Sequence, residues 1–292
     1  MSVLNPSTPA FEPFAWNFST VDSSSKNKIK NVWHHNLKEE ILDISRLLEN
    51  YPYIAMDTEF PGIIVRAQGE LRDTQYQTIR HNVDRLKLIQ VGITLSDING
   101  NYPPDTCTWQ FNMKFDLETD TYSSDSIQLL KNSGFDFEKH AQDGIDPQDF
   151  AELFTVSGLC LNEDITYITF HCGYDFAYLL KSLTCQKLPE SQTEFYKKLL
   201  LYFPAFYDLK YMVRGIDRFR GGLNRIAEEL GIKRIGRMHQ AGSDSMVTLE
   251  AFFGVKNACF PEPISIEDHE NVICGLNENN QIRETEYISQ YP

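Results

Sequence analysis

The sequence predicts an α/β protein whose sheet begins as an antiparallel meander and continues as βα units. Three apolar strand patterns occur early in the chain, at residues 53–60, 86–95 and 107–111. The turn signal Asn99-Gly100 lies between the second and third strands, as is typical of antiparallel neighbours. Later, a short strand at 165–170 leads through Gly173 into an apolar helix at 174–183. No repeat or internal boundary interrupts this pattern, so we expect a single domain.

The other elements are predicted helices, identified by apolar residues three to five positions apart or by terminal signals. An amphipathic helix is expected over residues 28–50, ending before Pro52, followed after the first of the strands by a loop over 62–69. A proline suited to a first helical turn marks another helix beginning near Pro147. Four more helices are predicted at residues 125–131, 190–202, 222–230 and 244–253.

Both ends of the chain lack such patterns. Residues 1–27 carry several prolines and a run of serines, so we expect a flexible extension whose aromatic residues pack on the domain or on a partner. Beyond Pro261 the sequence becomes polar, which predicts a C-terminal tail over 263–292. The predicted domain therefore covers residues 28–262.

Composition and charge exclude several classes of protein. With 292 residues, 41% of them hydrophobic, the chain can bury a substantial core, yet no apolar run is long enough for a membrane span. The start of the chain has no leader pattern, so we expect an intracellular protein, cytoplasmic and in addition nuclear. Six cysteines without a C-x-x-C pair argue against structural zinc and against a disulfide framework.

The net charge of −14 disfavours an extended nonspecific contact with nucleic acid, because that contact depends on many cationic side chains. It is compatible with a small site that handles one strand end. Divalent ions bound at such a site would themselves cancel charge. The short cationic group Lys233, Arg234 and Arg237 could meet substrate phosphates, although a charge cluster in a loop is more often only solvated.

Two acids close the first of the predicted strands. Asp57 and Glu59 project to the same side, since side chains alternate along a strand. Neighbouring carboxylates resist ionisation unless a cation lies between them, and oxygen ligands favour Mg²⁺ or Mn²⁺. An Asp-x-Glu triplet is weak by itself in a chain with 41 acidic residues. The chain has others in polar surroundings, at Asp116/Glu118, Asp136/Glu138 and Asp268/Glu270.

Three further residues complete a candidate site. Asp175 lies in the first turn of a predicted helix that follows a strand, and His239 precedes Asp244, which opens another helix. Taken singly, each acid is explained as a helix N-terminal residue and the histidine as a loop residue bonded to backbone. Together they match the needs of two-metal phosphoryl chemistry, which uses several carboxylates and a general base.

The order Asp-x-Glu, a helical Asp and His-x4-Asp resembles the histidine-bearing branch of the DEDD exonuclease superfamily. More specific motifs resemble the Caf-one/Pop-two deadenylases over residues 31–253. The motifs are Met56-Asp57-Thr58-Glu59-Phe60-Pro61-Gly62, Asn82-Val83-Asp84, Tyr102-Pro103-Pro104, Thr108-Trp109-Gln110-Phe111, Phe170-His171-Cys172-Gly173-Tyr174-Asp175-Phe176, Gly221-Gly222-Leu223 and His239-Gln240-Ala241-Gly242-Ser243-Asp244-Ser245.

This resemblance implies an RNase H-like fold, a mixed sheet flanked by helices. It implies a poly(A)-specific 3′→5′ exoribonuclease that releases 5′-AMP, acting as a catalytic subunit of the NOT deadenylase complex. The expected partners are the 3′ end of poly(A) RNA, a large scaffold subunit and a second deadenylase subunit. Neither terminus is covered by the resemblance, so contacts made there cannot be carried over.

Residue by residue, the resemblance makes Asp57, Glu59, Asp175 and Asp244 the ligands of two divalent ions, Mg²⁺ or Mn²⁺, and His239 the general base. We expect in-line hydrolysis, with Asp57 best placed to bridge both ions. Two alternatives stay open at this point. One is a DNA-directed 3′→5′ exonuclease of the same superfamily, and the other is a catalytically inert adaptor in an mRNA-decay assembly.

Overall fold

The computed structural model describes residues 28–67, 71–261 and 265–277. The extension predicted at 1–27 lies outside these residues, as does the end of the predicted tail from 278 onwards. The domain boundaries therefore stay a prediction.

One mixed sheet forms the centre of the fold in the described part of the chain. Its strands are β1 (Ile29–Val32), β2 (Tyr53–Glu59), β3 (Gln90–Ser96), β4 (Thr108–Asn112), β5 (Thr166–Thr169) and β6 (Ala205–Asp208). The spatial order is β1-β4-β3-β2-β5-β6, with β3 antiparallel to both of its neighbours and the other pairs parallel. The predicted antiparallel meander of β2, β3 and β4 is confirmed, as are the mixed sheet and the single domain. β2 lies at the centre of the sheet.

The helices cover both faces of this sheet. They are α1 (Leu37–Leu47), α2 (Leu71–Val83), α3 (Ser124–Asn132), α4 (Phe137–Asp143), α5 (Pro147–Val156), α6 (Gly173–Thr184), α7 (Gln192–Tyr202), α8 (Leu209–Met212), α9 (Leu223–Leu230) and α10 (Ala241–Cys259). The helix α10 packs across β2, β3, β4 and β5 on one face, and α6 contacts β2, α2, α5 and α7. None of the described helices is long and apolar enough to cross a lipid bilayer.

The alternation along β2 divides its side chains between two apolar clusters. Ile54 and Met56 are fully buried in the larger cluster, which includes residues of α1, α5 and α6. Ala55 belongs to a second cluster with Leu249 and Phe252 of α10. Because the period of a strand is two, residues 57 and 59 continue the face of Ala55 that α10 covers.

Several predicted elements need correction. The helix predicted over 28–50 begins only at Leu37, because residues 29–32 pair with β4 as β1. A side-chain oxygen of Asn36 accepts the Trp33 N–H at 2.8 Å and turns the chain from β1 towards α1. The loop predicted over 62–69 is followed by α2, which was not predicted.

Three other elements, α4, β6 and α8, were also missed, and α10 is longer than the predicted 244–253. The polar residues of α2 and the four-residue length of β6 leave too little periodicity for a prediction. These elements form because of tertiary contacts and not because of a local sequence pattern.

The segment 265–277 packs on the domain. Val272 and Ile273 are buried, at 1% and 0% exposure. The Asn271 side chain accepts the Phe206 N–H at 3.0 Å and donates to the Pro204 carbonyl at 2.9 Å. These residues thus complete the edge of the sheet beside β6, although the sequence pattern is polar there.

Candidate active site

Asp57 and Glu59 lie at the C-terminal end of β2, on the face that α10 covers. Asp57 pairs with Gly92 of β3, and Glu59 pairs with Gln90. A Cβ added at Gly92 would lie 2.0 Å from the Ala241 carbonyl oxygen, so only glycine lets the start of α10 approach the sheet this closely. The glycine thereby brings the first turn of α10 to the two acids.

Two glutamine side chains hold that first turn in place. The Gln90 Oε1 atom accepts the Ala241 N–H at 2.8 Å, and the Gln110 Oε1 atom accepts the Gly242 N–H at 3.0 Å. The first N–H groups of a helix have no partner within the helix, so these bonds act as caps supplied by the sheet. They fix the position of Asp244, which lies one turn further on.

The carboxylate of Asp244 is held by two donors. The Arg234 Nη1 atom lies 2.6 Å from its Oδ1, and the His239 N–H donates to its Oδ2 at 2.9 Å. Arg234 also donates to Asn224 Oδ1 at 2.7 Å and to Ser243 Oγ at 3.0 Å, which ties the histidine loop to α9 and α10. His239 itself has a left-handed backbone, with φ of 59°.

Asp175 reaches the same strand end from α6. Its Oδ1 accepts two hydrogen bonds from Thr58, one from the backbone N–H at 2.9 Å and one from the hydroxyl at 2.6 Å. Thr58 lies between Asp57 and Glu59, so the third predicted acid is fixed to the strand segment that carries the first two. Burial raises the pKa of Asp175 to about 6, although the bonds from Thr58 act to lower it.

The electrostatics of the site show a crowded set of acids. Loss of solvent raises the pKa of Asp57 well above its ordinary range, and the carboxylates of Asp244 and Asp175 raise it further. Burial, with repulsion from the same two acids, raises the pKa of Glu59 to about 8. Arg234 acts in the opposite direction on Asp57. These acids therefore favour either protons or a cation beside them.

All five predicted site residues thus lie at one end of β2. One ligand atom from each of Glu59, His239 and Asp244 lies within 4.8 Å of the others. Asp57 lies two residues before Glu59 on the same face of β2, and Asp175 bonds to Thr58, which lies between them. The donor set, carboxylate oxygens with one imidazole, fits a hard divalent ion. The raised pKa values reflect burial of the carboxylates and their mutual repulsion, so a bound cation would stabilise their ionised form.

Several positioning residues were not predicted. Gln90, Gln110 and Thr58 act through contacts that form only in the folded protein. The sequence carries no local signal for these roles, because the partner of each residue lies more than 100 positions away along the chain. Arg234, considered as a phosphate contact, instead pairs with Asp244.

Comparison with known proteins then decides the family. A sequence model described as CAF1 family ribonuclease matches residues 32–153. The curated poly(A) ribonuclease pop2 of Schizosaccharomyces pombe is 51% identical over 241 residues, which cover 82% of this chain and 72% of that protein. The chain belongs to the CAF1 ribonuclease family.

Solved CAF1-family structures share its architecture. The Mg²⁺- and Mn²⁺-bound form of S. pombe Pop2p superposes with a TM-score of 0.82 at 49% identity, covering 85% of this chain and 100% of that one. The yeast NOT1 MIF4G domain co-crystallized with CAF1 provides a second match, with a TM-score of 0.72 at 33% identity over 84% of this chain and 96% of that one. The RNase H-like fold predicted from the motifs is confirmed.

Proposed function

We propose that this protein is a poly(A)-specific 3′→5′ exoribonuclease, an mRNA deadenylase that releases 5′-AMP. The observation that carries the proposal is the convergence of Asp57, Glu59, Asp175, His239 and Asp244 at one strand end in a CAF1-family chain. The name of the S. pombe relative, poly(A) ribonuclease, supports the substrate.

Asp57, Glu59, Asp175 and Asp244 would hold two divalent ions. The S. pombe Pop2p structure, a Mg²⁺- and Mn²⁺-bound form, supports Mg²⁺ or Mn²⁺ as these ions. Ions bound at these acids would neutralise the charge that develops on the scissile phosphate. Residues of the chain itself carry out the proton transfer. His239 accepts the proton of the attacking water, and the Asp244 carboxylate holds the His239 backbone in its left-handed conformation.

The proposal includes assembly into the NOT complex. CAF1 has been crystallised with the NOT1 MIF4G domain, which supports a large scaffold subunit as a partner. We also propose a second deadenylase subunit as a partner, and this part of the proposal follows from the family resemblance alone. The proposed location is the cytoplasm, and the nucleus in addition, where messenger RNA tails occur.

A direct test uses a labelled RNA that has a mixed-sequence body and an A tail. With Mg²⁺, the wild-type protein should shorten the tail in single-nucleotide steps and stall at the junction. Asp57→Ala and His239→Ala, each checked for folding by its melting temperature, should leave the tail intact. Digestion at the wild-type rate by either variant would show that the proposed chemistry is wrong.

Two further substrates distinguish the alternatives. Oligo(A) and its deoxy counterpart are compared under the same conditions, because the 2′-hydroxyl lets a protein tell RNA from DNA. Equal or faster digestion of the deoxy strand would favour a DNA-directed exonuclease. No digestion of either strand, with or without a chelator, would favour an inert adaptor.

A further inference from the structure

The loop that follows β2 exposes two adjacent isoleucines a few residues beyond Glu59. Ile63 is 41% exposed and Ile64 39% exposed, and both come within five residues of Glu59. Single exposed apolar side chains are ordinary on a protein surface. Here two such side chains are adjacent, in the loop that directly follows the strand carrying Asp57 and Glu59.

A buried amide holds this pair in place. Asn82 has no exposed surface, and its Oδ1 accepts the N–H groups of Ile64 and Val65 at 2.7 and 3.0 Å. Its Nδ2 donates to the carbonyls of Val65 and Thr78, each at 2.7 Å, which ties the loop to α2. The amide thus makes all four of its hydrogen bonds, three of them to the loop and one to its own helix.

A second support comes from the other side of the loop. Gly62 has φ of +93°, and a Cβ there would lie 2.2 Å from Ser126 Oγ of α3. The loop is therefore packed against α3 in a conformation that favours glycine. These contacts explain the early motif residues Gly62 and Asn82, which the catalytic chemistry itself does not use.

A positive charge lies at the end of the same loop. Arg66 is exposed, in a chain whose net charge is −14. Arg66 directly follows Val65, whose N–H and carbonyl both bond to the Asn82 side chain, so the backbone leading to Arg66 is fixed. Tyr174 stacks at 5.0 Å on Phe60, the residue after Glu59, and precedes Asp175 in the chain. The loop thus borders two of the acids.

We propose that residues 63–66 form a binding shelf for the 3′ end of single-stranded RNA, in which Ile63 and Ile64 pack against base faces and Arg66 contacts a phosphate. The proposal rests on the proposed function and adds a substrate-binding surface to it. Base faces are apolar and are buried by single-strand binders, while phosphates are repelled by a cluster of acids. A rigid apolar surface with one cation supplies both contacts at the rim of such a site.

The test measures RNA binding with a fluorescent oligo(A) whose 3′-terminal linkage resists hydrolysis. We expect Ile63→Ser/Ile64→Ser to raise the Kd about tenfold, because the apolar contact of the two side chains with base faces is lost. The matched control is Ile98→Ser. Ile98 is 60% exposed and lies beyond Ser96, at the end of the β2–β3 pair opposite to Glu59. Its replacement should leave the Kd unchanged.

The phosphate contact is tested by salt dependence. Arg66→Gln should reduce the slope of log Kd against log salt by about 0.7, the value for one phosphate contact on a single strand. Arg46→Gln is the charge-matched control, because Arg46 is 74% exposed and pairs with Asp43 on α1. Its slope should match that of the wild type.

The possible outcomes distinguish failure of the shelf proposal from failure of the proposed function. If wild-type protein digests oligo(A) but the isoleucine variant binds RNA like the wild type, the shelf proposal is overturned and a protein partner becomes the better occupant. Failure of the wild type to digest oligo(A) would instead contradict the proposed function. Melting temperatures of all variants show whether a change in Kd reflects folding.

Discussion

The carboxylate of Asp175 is held in position by Thr58, a residue that carries no charge. Thr58 gives it both a backbone and a hydroxyl donor, and these bonds act to lower a pKa that burial raises to about 6. A divalent ion binds carboxylates in their ionised form, so protons and ions compete for this group. The threonine therefore sets the pH range in which the site can bind an ion.

We predict that Thr58→Val raises the pKa of Asp175 further, because the 2.6 Å bond from the hydroxyl is lost while the backbone bond stays. The pH at which Mn²⁺ binding is half lost should move upwards. Thr58→Ser keeps a hydroxyl and should behave like the wild type. Identical pH profiles for the valine and serine variants, measured by calorimetric titration, would contradict this role.

Arg234 makes the second prediction at this scale. Its guanidinium group donates hydrogen bonds to Asp244, Ser243 and Asn224 and so holds them together. Arg234→Gln should lower kcat/KM by about 10- to 100-fold, as is typical when a residue that orients a metal ligand is replaced. Arg225→Gln is a suitable control, since Arg225 pairs with Glu228 and Glu229 on α9. Equal activity of both variants would show that Arg234 does not position the site.

At the scale of single residues, the sequence predicts a site residue when the spacing of acids and histidine along the chain identifies it. The five site residues follow from the order of acids and the histidine along the chain, and the fold places them together. The support from Gln90 and Gln110 could not be predicted in the same way. Their bonds join positions 151 and 132 residues apart, and no local pattern specifies them.

At the scale of elements, the approach of α10 to the sheet decides the geometry of the site. Gly92→Ala would place a methyl group 2.0 Å from the Ala241 carbonyl oxygen, so the helix must shift. We expect a loss of stability of about 1–3 kcal/mol, seen as a lower melting temperature, together with loss of activity. Gly222→Ala serves as the control, because nothing lies within 4 Å of its added Cβ. A fully active Gly92→Ala protein would contradict this account.

The elements that sequence reasoning missed share a physical cause. α2 carries its apolar contacts on Tyr76, Ile79 and Val83 among polar residues, and β6 has only four residues. Such segments fold because of their neighbours: α2 packs on α6, and β6 pairs with β5. By contrast, β2, α5 and α6 have strong local signals, and their predicted positions agree closely with the structure.

At the scale of the whole molecule, the acid cluster links stability to pH. The pKa values of Glu59 and Asp175 are raised to about 8 and about 6 in the folded protein, above those of an unfolded chain. Their contribution to stability is therefore present at low pH and is lost as pH rises through these values. Without metal, the melting temperature should fall between about pH 5 and about pH 8.

Two controls test that linkage in melting experiments with a chelator present. Asp57→Asn/Glu59→Gln should show a smaller fall of the melting temperature over the same pH range, because two of the repelling acids are removed. Mg²⁺ should stabilise the wild-type protein most at the upper end of the range. A fall of equal size in both proteins would show that other groups govern the pH dependence.

The C-terminal segment gives a prediction about the extent of the domain. Deletion of 265–292 removes the buried Val272 and Ile273 and the bonds of Asn271 to the β6 region. The melting temperature should be lower than after deletion of 278–292. Equal melting temperatures of the two truncated proteins would mean that 265–277 adds no stability and that the domain ends near residue 262.

The central claim is that Asp57, Glu59, Asp175 and Asp244 form one binding site for two divalent ions. Calorimetric titration of the chelator-treated protein with Mn²⁺ at about pH 8 tests it most directly, independently of any RNA. We predict saturable binding of about two ions per chain, with release of protons, and a clear loss of binding in Asp57→Asn. Absence of saturable binding, or an unchanged titration of the folded Asp57→Asn protein, would contradict the claim.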